Sequence, residues 1–459
     1  MKKDNVLLVE PNFPYPNKSK QGANEIHKNF VPISLLKFGA MHKNRGDQVK
    51  LVRGKKTLEE IGFKPNRILV TSLFTYWSKY VWDVIEYYRK TFPESEIWMG
   101  GIYATLHSET DKFKELKKRF NIKVHRGVNE EAEKFLPDYT LIPKVEYHAT
   151  HMMRGCIRRC SFCGTWKIEP KLMHKDVKCI SEEILRAGKT KIIFYDNNLL
   201  ANPNISEILK ELPKLKINGK RLSFESQSGI DGRLLEAKPE LGPLLKKAGF
   251  QNIRIAWDNL IDDRDSIKRQ IDILSKAGYA LKDTSVFMIY NFDIPYEIML
   301  KKVKNCEKWG VQIIDCRYRP LDLDFDNYNP HLRKGQPAGS FYIHKQSGWT
   351  DKKIRDFRIT VRQHNIAIRY AKDKKIGYQN EMEKWSAIHN TYKFFSLGSP
   401  PQMSSINKNK NIHKKIILLN KLKNYYLRNK LKKPDFKNLK KKEINHKTDF
   451  LLKKYDLVN

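Results

Sequence analysis

Short apolar runs separated by helix-sized intervals recur from Asn5 to Arg317. An alternation of short buried strands with helices leaves one economical architecture, a parallel sheet with helices laid over its faces. In the first part of the chain the expected strands are Asn5-Val6-Leu7-Leu8-Val9-Glu10, then 49–52, 67–72, 96–101 and 124–127. Helices are expected over 33–44, ending at Gly46, and over 79–92, with a Pro- and Asn-rich loop over 11–30. This pattern predicts a doubly wound sheet, which takes ligands beyond the C-terminal ends of its strands. Those ends carry Pro11, Ser72 and the pair Gly100-Gly101.

The same alternation continues with strands expected over 147–152, 191–196, 222–225, 253–258, 285–290 and 311–317. Helices are expected between them over 180–188, 205–212, 234–248, 264–278 and 297–310. Six β/α units suit a partial parallel barrel, whose catalytic groups gather at the strand C-termini.

Directly after the first of these strands stands Arg154-Gly155-Cys156-Ile157-Arg158-Arg159-Cys160-Ser161-Phe162-Cys163-Gly164-Thr165. Three thiolates in so short a loop suit an iron–sulfur cluster, because soft sulfur donors stabilise iron. A four-iron cubane held by three cysteines keeps one iron open to a small molecule. The alternatives are a zinc site or three incidental thiols. Structural zinc takes four ligands, commonly in pairs, and Cys179, Cys306 and Cys316 form no second pair. A disulfide framework is disfavoured in a long, lysine-rich chain without a secretory signal.

The Cys-x3-Cys-x2-Cys spacing, with Phe162 before the third cysteine, resembles the radical S-adenosylmethionine (SAM) superfamily. The resemblance implies a [4Fe-4S] cluster on Cys156, Cys160 and Cys163, with SAM chelated at the open iron and cleaved to a 5′-deoxyadenosyl radical. It implies further roles at the strand ends. Asp196 and Asn197 would meet the SAM amino group, since no Gly-Gly-Glu stands there. Glu225 and Ser226 would sit beside SAM, Arg254 would take its carboxylate, and Phe162 would lie near the adenine. A guanidinium suits a carboxylate because its fork matches the two oxygens.

Residues 1–142 resemble the cobalamin-binding domain often joined to such barrels. The likeness rests on Ser72-Leu73, on Met99-Gly100-Gly101 ending a strand, and on Gly127-Val128 before an acidic helix. The histidine motif Asp-x-His-x-x-Gly is missing: Glu25-Ile26-His27 lies in the corresponding loop, but Phe30 stands where the glycine is required, and His42 falls at the end of the next helix. Several relatives bind cobalamin without that histidine. The alternative is a Rossmann-like domain that binds something else or only covers the barrel.

Cys316 lies on the last expected strand, where it is either a small buried hydrophobe or a thiol facing the barrel interior, able to carry a methyl group or a second metal. Asp322-Leu323-Asp324-Phe325-Asp326 reads as a strand or a loop. Beyond about residue 335 amphipathic helices are expected over 349–372 and 380–394, followed by a basic, partly helical tail rich in lysine and asparagine. The chain is α/β, in three parts: 1–142, Rossmann-like; 143–335, a partial (β/α)6 radical SAM barrel; 336–459, basic and α-helical.

The net charge of +37 favours polyanions, including nucleic acid, although a lysine-rich composition alone gives solvated basic faces. No stretch is apolar enough to span a membrane, and an oxygen-sensitive cluster suits the cytoplasm, with a flavodoxin or ferredoxin as electron donor. The expected activity is radical modification of an unreactive carbon, with cobalamin-dependent methyl transfer as one form. The alternatives are a cobalamin-free enzyme acting on RNA and a non-catalytic iron–sulfur or zinc protein.

Overall fold

The computed structural model of the chain describes residues 3–14, 31–142, 145–258, 261–328, 339–370, 387–398, 400–401, 410–431, 434, 436 and 441–455. The loop holding Glu25, His27 and Phe30 lies outside the described residues, as do 380–386 of the helix expected there.

Five parallel strands, β1 (Asn5–Glu10), β2 (Gln48–Arg53), β3 (Arg67–Ser72), β4 (Glu96–Gly101) and β5 (Ile122–Val124), form a sheet in the order β2-β1-β3-β4-β5. The order reverses between β1 and β3, which opens a crevice at their C-terminal ends. Val6 to Val9 are all fully buried, because helices cover both faces and the strand therefore reads as a continuous apolar run. The helix Ser78–Thr91 covers one face through Val81, Val84, Ile85 and Tyr88. The helix Ile33–Asn44 covers the other, with Leu35 against Val6 and Leu8.

The last strand lies earlier than its expected place at 124–127. Ile122 is the buried residue and pairs with Ile97, while the chain leaves the sheet after Val124 and turns at Gly127, where φ is +70°.

Among the described residues six further strands of three residues or more follow: β6 (Tyr147–Thr150), β7 (Lys191–Phe194), β8 (Ser223–Ser226), β9 (Arg254–Ala256), β10 (Ser285–Tyr290) and β11 (Gln312–Arg317). They make two parallel three-stranded sheets, β8-β7-β6 and β9-β10-β11, rather than one unbroken ladder. Between β8 and β9 the β-ladder reduces to the isolated bridges Phe224↔Phe250 and Ile230↔Ile255. Gly229 makes the second possible: its φ is +81°, and a Cβ there would lie 2.8 Å from the Arg254 carbonyl.

The helix expected over 234–248 is two helices, Gly232–Ala237 and Leu241–Ala248. Pro239 separates them, forcing Lys238 out of the helical region to φ −133°, ψ 76°.

The barrel core does not stop near 335. Trp349, Ile354, Phe357 and Val361, on and before the helix Asp351–Tyr370, join the cluster that holds Val286, Met288 and Ile313. Asn365 also pairs with the β11 backbone, accepting from Ile313 N at 2.8 Å and donating to Ile313 O at 2.6 Å. That helix therefore belongs to the barrel.

Residues 321–326 form a strap rather than a strand, touching the N-terminal domain through one bridge, Trp77↔Phe325. Ser78 Oγ donates to Asp324 O at 2.6 Å, and His107 Nε2 meets Leu321 O at 2.7 Å. The two domains also share a small core, with Ile33 and Leu36 against Tyr147, Ala149 and Ile193.

The basic C-terminal helices Lys410–Arg428 and Lys441–Lys454 have their own cluster, with Leu419, Leu422 and Tyr426 against Leu451 and Leu452. Among the described residues no helix is long and apolar enough to cross a membrane.

Candidate functional site at the barrel mouth

The cysteine loop hangs from a rigid frame. Asp196, at the end of β7 and fully buried, accepts hydrogen bonds from Met152 N at 3.0 Å and Met153 N at 2.6 Å. Burial pushes its pKa up to about 7, against those two amide donors. Next, Arg154 grips Glu133 at 2.5 Å and Glu169 at 2.9 Å, and Glu169 Oε2 accepts from Gly155 N at 2.7 Å. With Met153-Arg154 paired to Met173-His174, both ends of the loop are fixed before the first thiol.

Cys156, Cys160 and Cys163 are all half-buried and all free. Cys156 Sγ accepts from Arg158 N at 3.3 Å and from Asn198 Nδ2 at 3.6 Å. The Cys163 thiol donates to Thr165 Oγ1 at 3.3 Å. Burial first, then the neighbouring Cys163, raises the Cys160 pKa; Asp258 and Cys156 add to this and Arg233 opposes it.

Among the described residues no three His, Cys, Asp or Glu side chains are grouped to hold one ion. A cubane asks for something different, because each thiolate binds its own iron and the ligands stand apart. Three soft donors on one anchored loop, with amide donors already aimed at Cys156, fit such a cluster.

The residues assigned to SAM by resemblance are placed as follows. Asn197 is exposed at the mouth and donates to Glu169 at 3.1 Å. Phe162 packs edge-on against Phe292, 5.7 Å between centroids. Asp196 faces inward to the loop backbone, so its part is to position the loop. Glu225 and Arg254 are both buried and paired with each other, and Arg254 also donates to Ser226 O at 2.7 Å. Ser226 Oγ is engaged with Gly229 O at 2.5 Å. This trio therefore stitches the gap between β8 and β9, and Arg254 does not present its fork to the mouth.

Other residues stand closer to the cluster loop. Asp231 accepts from Arg158 Nε at 2.9 Å and from Asn198 Nδ2 at 3.1 Å, which ties the loop to the ends of β7 and β8. Arg233, on the following helical turn, is more than half exposed beside Asp231. Asn198 adjoins the expected Asp196-Asn197. Asp231 has only the look of a helix cap in sequence, and it does cap Arg233 N at 3.1 Å.

Strand register defines the inner wall of the barrel. Trp257 and Tyr290 point outward, against Trp309 and Phe357. By alternation Ala256, Phe287 and Ile314 line the lumen; the next layer toward the mouth holds Asp258, Ile289 and Cys316, with Ile289 paired to Cys316. Cys316 is thus not a packed hydrophobe. It is enclosed by the barrel, yet its surface is open to solvent within the lumen. Burial, then the charges of Asp258 and Asp315, pushes its thiol up to about 12, and burial raises Asp258 to about 6.

Facing this mouth, a cavity of about 570 Å³ runs between the N-terminal sheet and the barrel. Its walls include Leu69, Thr71, Trp98 and Gly100 from the sheet, and His151, Arg154, Tyr195 and Asn197 from the barrel. Ser72 and Gly101 also border it, but each is committed to the fold. Ser72 Oγ donates to Gly100 O at 2.8 Å and accepts from Ala104 N at 3.0 Å. At Gly101 φ is +105°, and a Cβ would lie 2.1 Å from the Ser72 carbonyl oxygen. Gly100 is different: a Cβ there would meet only His125, at ordinary contact distance.

Residues 150–303 match the family model of the Radical SAM superfamily, which supports a radical SAM enzyme in general. No curated protein matches the chain. A solved structure, the carboxyl transferase domain from Rhizobium etli pyruvate carboxylase with 3-hydroxypyruvate, aligns over 94% of this chain and 61% of that one. Its identity of 10% and TM-score of 0.20 carry no argument. The chain spans less than two thirds of that structure's length.

Proposed function

We propose that Cys156, Cys160 and Cys163 hold a [4Fe-4S] cluster that cleaves SAM, and that the enzyme methylates an unreactive carbon with the help of cobalamin held between its first two domains. When bound, the reduced cluster supplies the electron that splits SAM to a 5′-deoxyadenosyl radical, and cobalamin supplies a transferable methyl group. The observation that carries this reading is the junction itself: Arg154, Glu169 and Asn197, which anchor or adjoin the thiol loop, also line the cavity beneath the N-terminal sheet.

The chain's own residues bind, orient and shield. Asp196, Glu169 and Asp231 fix the cysteine loop. Arg233, rather than the buried Arg254, is the exposed cation beside the loop that would meet the SAM carboxylate. The lumen layer Asp258, Ile289 and Cys316 would face the reacting carbon, while the overlying domain limits entry of water. A flavodoxin or ferredoxin would reduce the cluster.

Anaerobic purification with added hydroxocobalamin tests this. Iron and cobalt should both remain with the protein through gel filtration, with a corrinoid visible spectrum. Iron without cobalt would remove the methyl-transfer part and leave a cobalamin-free radical enzyme.

A second reading, radical modification of RNA in the cytoplasm, is favoured by one observation. The lysine-rich C-terminal helices fold about their own apolar cluster and present a basic surface.

A further inference from the structure

The wall of the domain-spanning cavity is strongly charged, but those charges satisfy one another. Lys37 pairs with Glu133 at 2.8 Å, Arg154 with Glu133 and Glu169, Arg45 with Glu131 at 2.6 Å, and Arg67 with Asp4 at 3.3 Å and Glu96 at 3.2 Å. A charged ligand would have to break one of these pairs.

Two wall residues differ. His151 Nδ1 and His125 Nε2 are enclosed and have no hydrogen-bond partner. His151 is 5% exposed and packs edge-on against Tyr195. Burial, then Arg154, Lys37 and Lys175, keeps it neutral by pushing its pKa well below the usual histidine value. An enclosed ring nitrogen without a partner is destabilising unless something supplies the missing bond. The same cavity wall also holds apolar and aromatic side chains, Trp98, Leu69, Phe38 and Met41.

We propose that His151, from the barrel, and His125, from the N-terminal sheet, are paired recognition points for an uncharged heteroaromatic group held flat between the domains. A heteroaromatic base offers faces to Trp98 and Leu69 and edge atoms to imidazoles, and it leaves the ion pairs intact. The inference rests on the cobalamin reading for one source of that group, the dimethylbenzimidazole base of the cofactor's tail. A free nucleoside is the other source. His151 lies five residues before Cys156, so an occupied cavity would brace the start of the cluster loop.

The test uses full-length, anaerobically reconstituted protein and four probes in equilibrium dialysis: hydroxocobalamin, cobinamide (the corrin without its nucleotide tail), the free dimethylbenzimidazole nucleoside and adenosine. Wild type should prefer hydroxocobalamin to cobinamide. His151→Leu and His125→Leu should each weaken hydroxocobalamin by roughly fivefold to tenfold and leave cobinamide unchanged. Iron content and far-ultraviolet circular dichroism check folding, and His151→Gln and His125→Gln, which keep a polar edge, should restore part of the affinity. Equal loss for both corrinoids, or no loss in either Leu variant, overturns the proposal. Binding of a nucleoside but neither corrinoid would sink the cobalamin reading and keep this one. Binding of none of the four probes overturns it.

Discussion

Arg254 and Arg233 show how a residue's role depends on a partner that sequence does not display. The cysteine triplet is legible because its chemistry is local: three thiols within eight residues can serve one cluster wherever the loop sits. Arg254 is legible as a cation near a strand end, but its partner Glu225 lies 29 residues away across a gap between two sheets. Removing one member of a buried pair leaves the other charge uncompensated, at about 3–5 kcal/mol. Arg254→Met should therefore lower the unfolding free energy measured in urea by that amount while SAM affinity per folded molecule is unchanged. Arg233→Ala should do the reverse, weakening SAM binding by roughly tenfold with little change in the unfolding free energy. The two glycines behave as differently. Gly101→Ala places a Cβ against the Ser72 carbonyl and should prevent stable folding. Gly100→Leu has room at its Cβ, points the same way as Trp98 and should fill the cavity. It should keep its iron and lose cobalt retention.

At the scale of elements, the strands with at least one well-buried face are the easiest to read. β1, β3, β4 and β10 occupy the expected residues from end to end. β5 does not, since Ile122 is its well-buried residue and Val124, the one apolar side chain of the run 124–127, is already the last residue of the strand. Pro239 is a visible sign in the sequence of the break between the helices Gly232–Ala237 and Leu241–Ala248. The strap at 321–326 is not legible as strand or loop, because its carboxylates answer to partners distant in sequence or in another domain. Asp324 meets His107 at 3.1 Å and Lys112 at 2.6 Å, and Asp326 is buried against Arg317. Burial alone would lower the His107 pKa, but the bonds to Asp324 and Leu321 O outweigh it and raise the pKa overall. A raised histidine stabilises the native state fully below its unfolded pKa, about 6.5, and the contribution is lost as pH rises through the higher folded value. Wild type should thus lose stability from pH 6 toward alkaline pH more steeply than His107→Gln. Parallel curves in thermal denaturation would show that the strap is held by other contacts.

At the scale of the molecule, the strand–helix alternation makes the parallel α/β character legible, but not which core a later helix joins. The helix Asp351–Tyr370 belongs to the barrel because Ile354 and Phe357 fill its core, and periodicity alone cannot say which core a helix enters. The cavity was also beyond sequence, since it arises where two separately patterned domains meet. The basic helices near the C-terminus pack mainly on one another, while Ile412 and Ile416 share a small cluster with Ile366 of the helix Asp351–Tyr370. Deleting 403–459 should leave iron binding intact and abolish any salt-dependent affinity for RNA; an unchanged salt dependence would move the polyanion surface elsewhere.

The central claim is that three thiols at the barrel mouth hold a cluster that cleaves SAM. It is tested most directly by counting iron and 5′-deoxyadenosine in one experiment. Reconstituted, dithionite-reduced wild type should hold about four irons per chain and release 5′-deoxyadenosine from SAM without substrate. Cys160→Ala should lose both. A Cys160→Ala protein that keeps a full cluster, or a wild type whose site is filled by zinc and leaves SAM intact, would contradict the account.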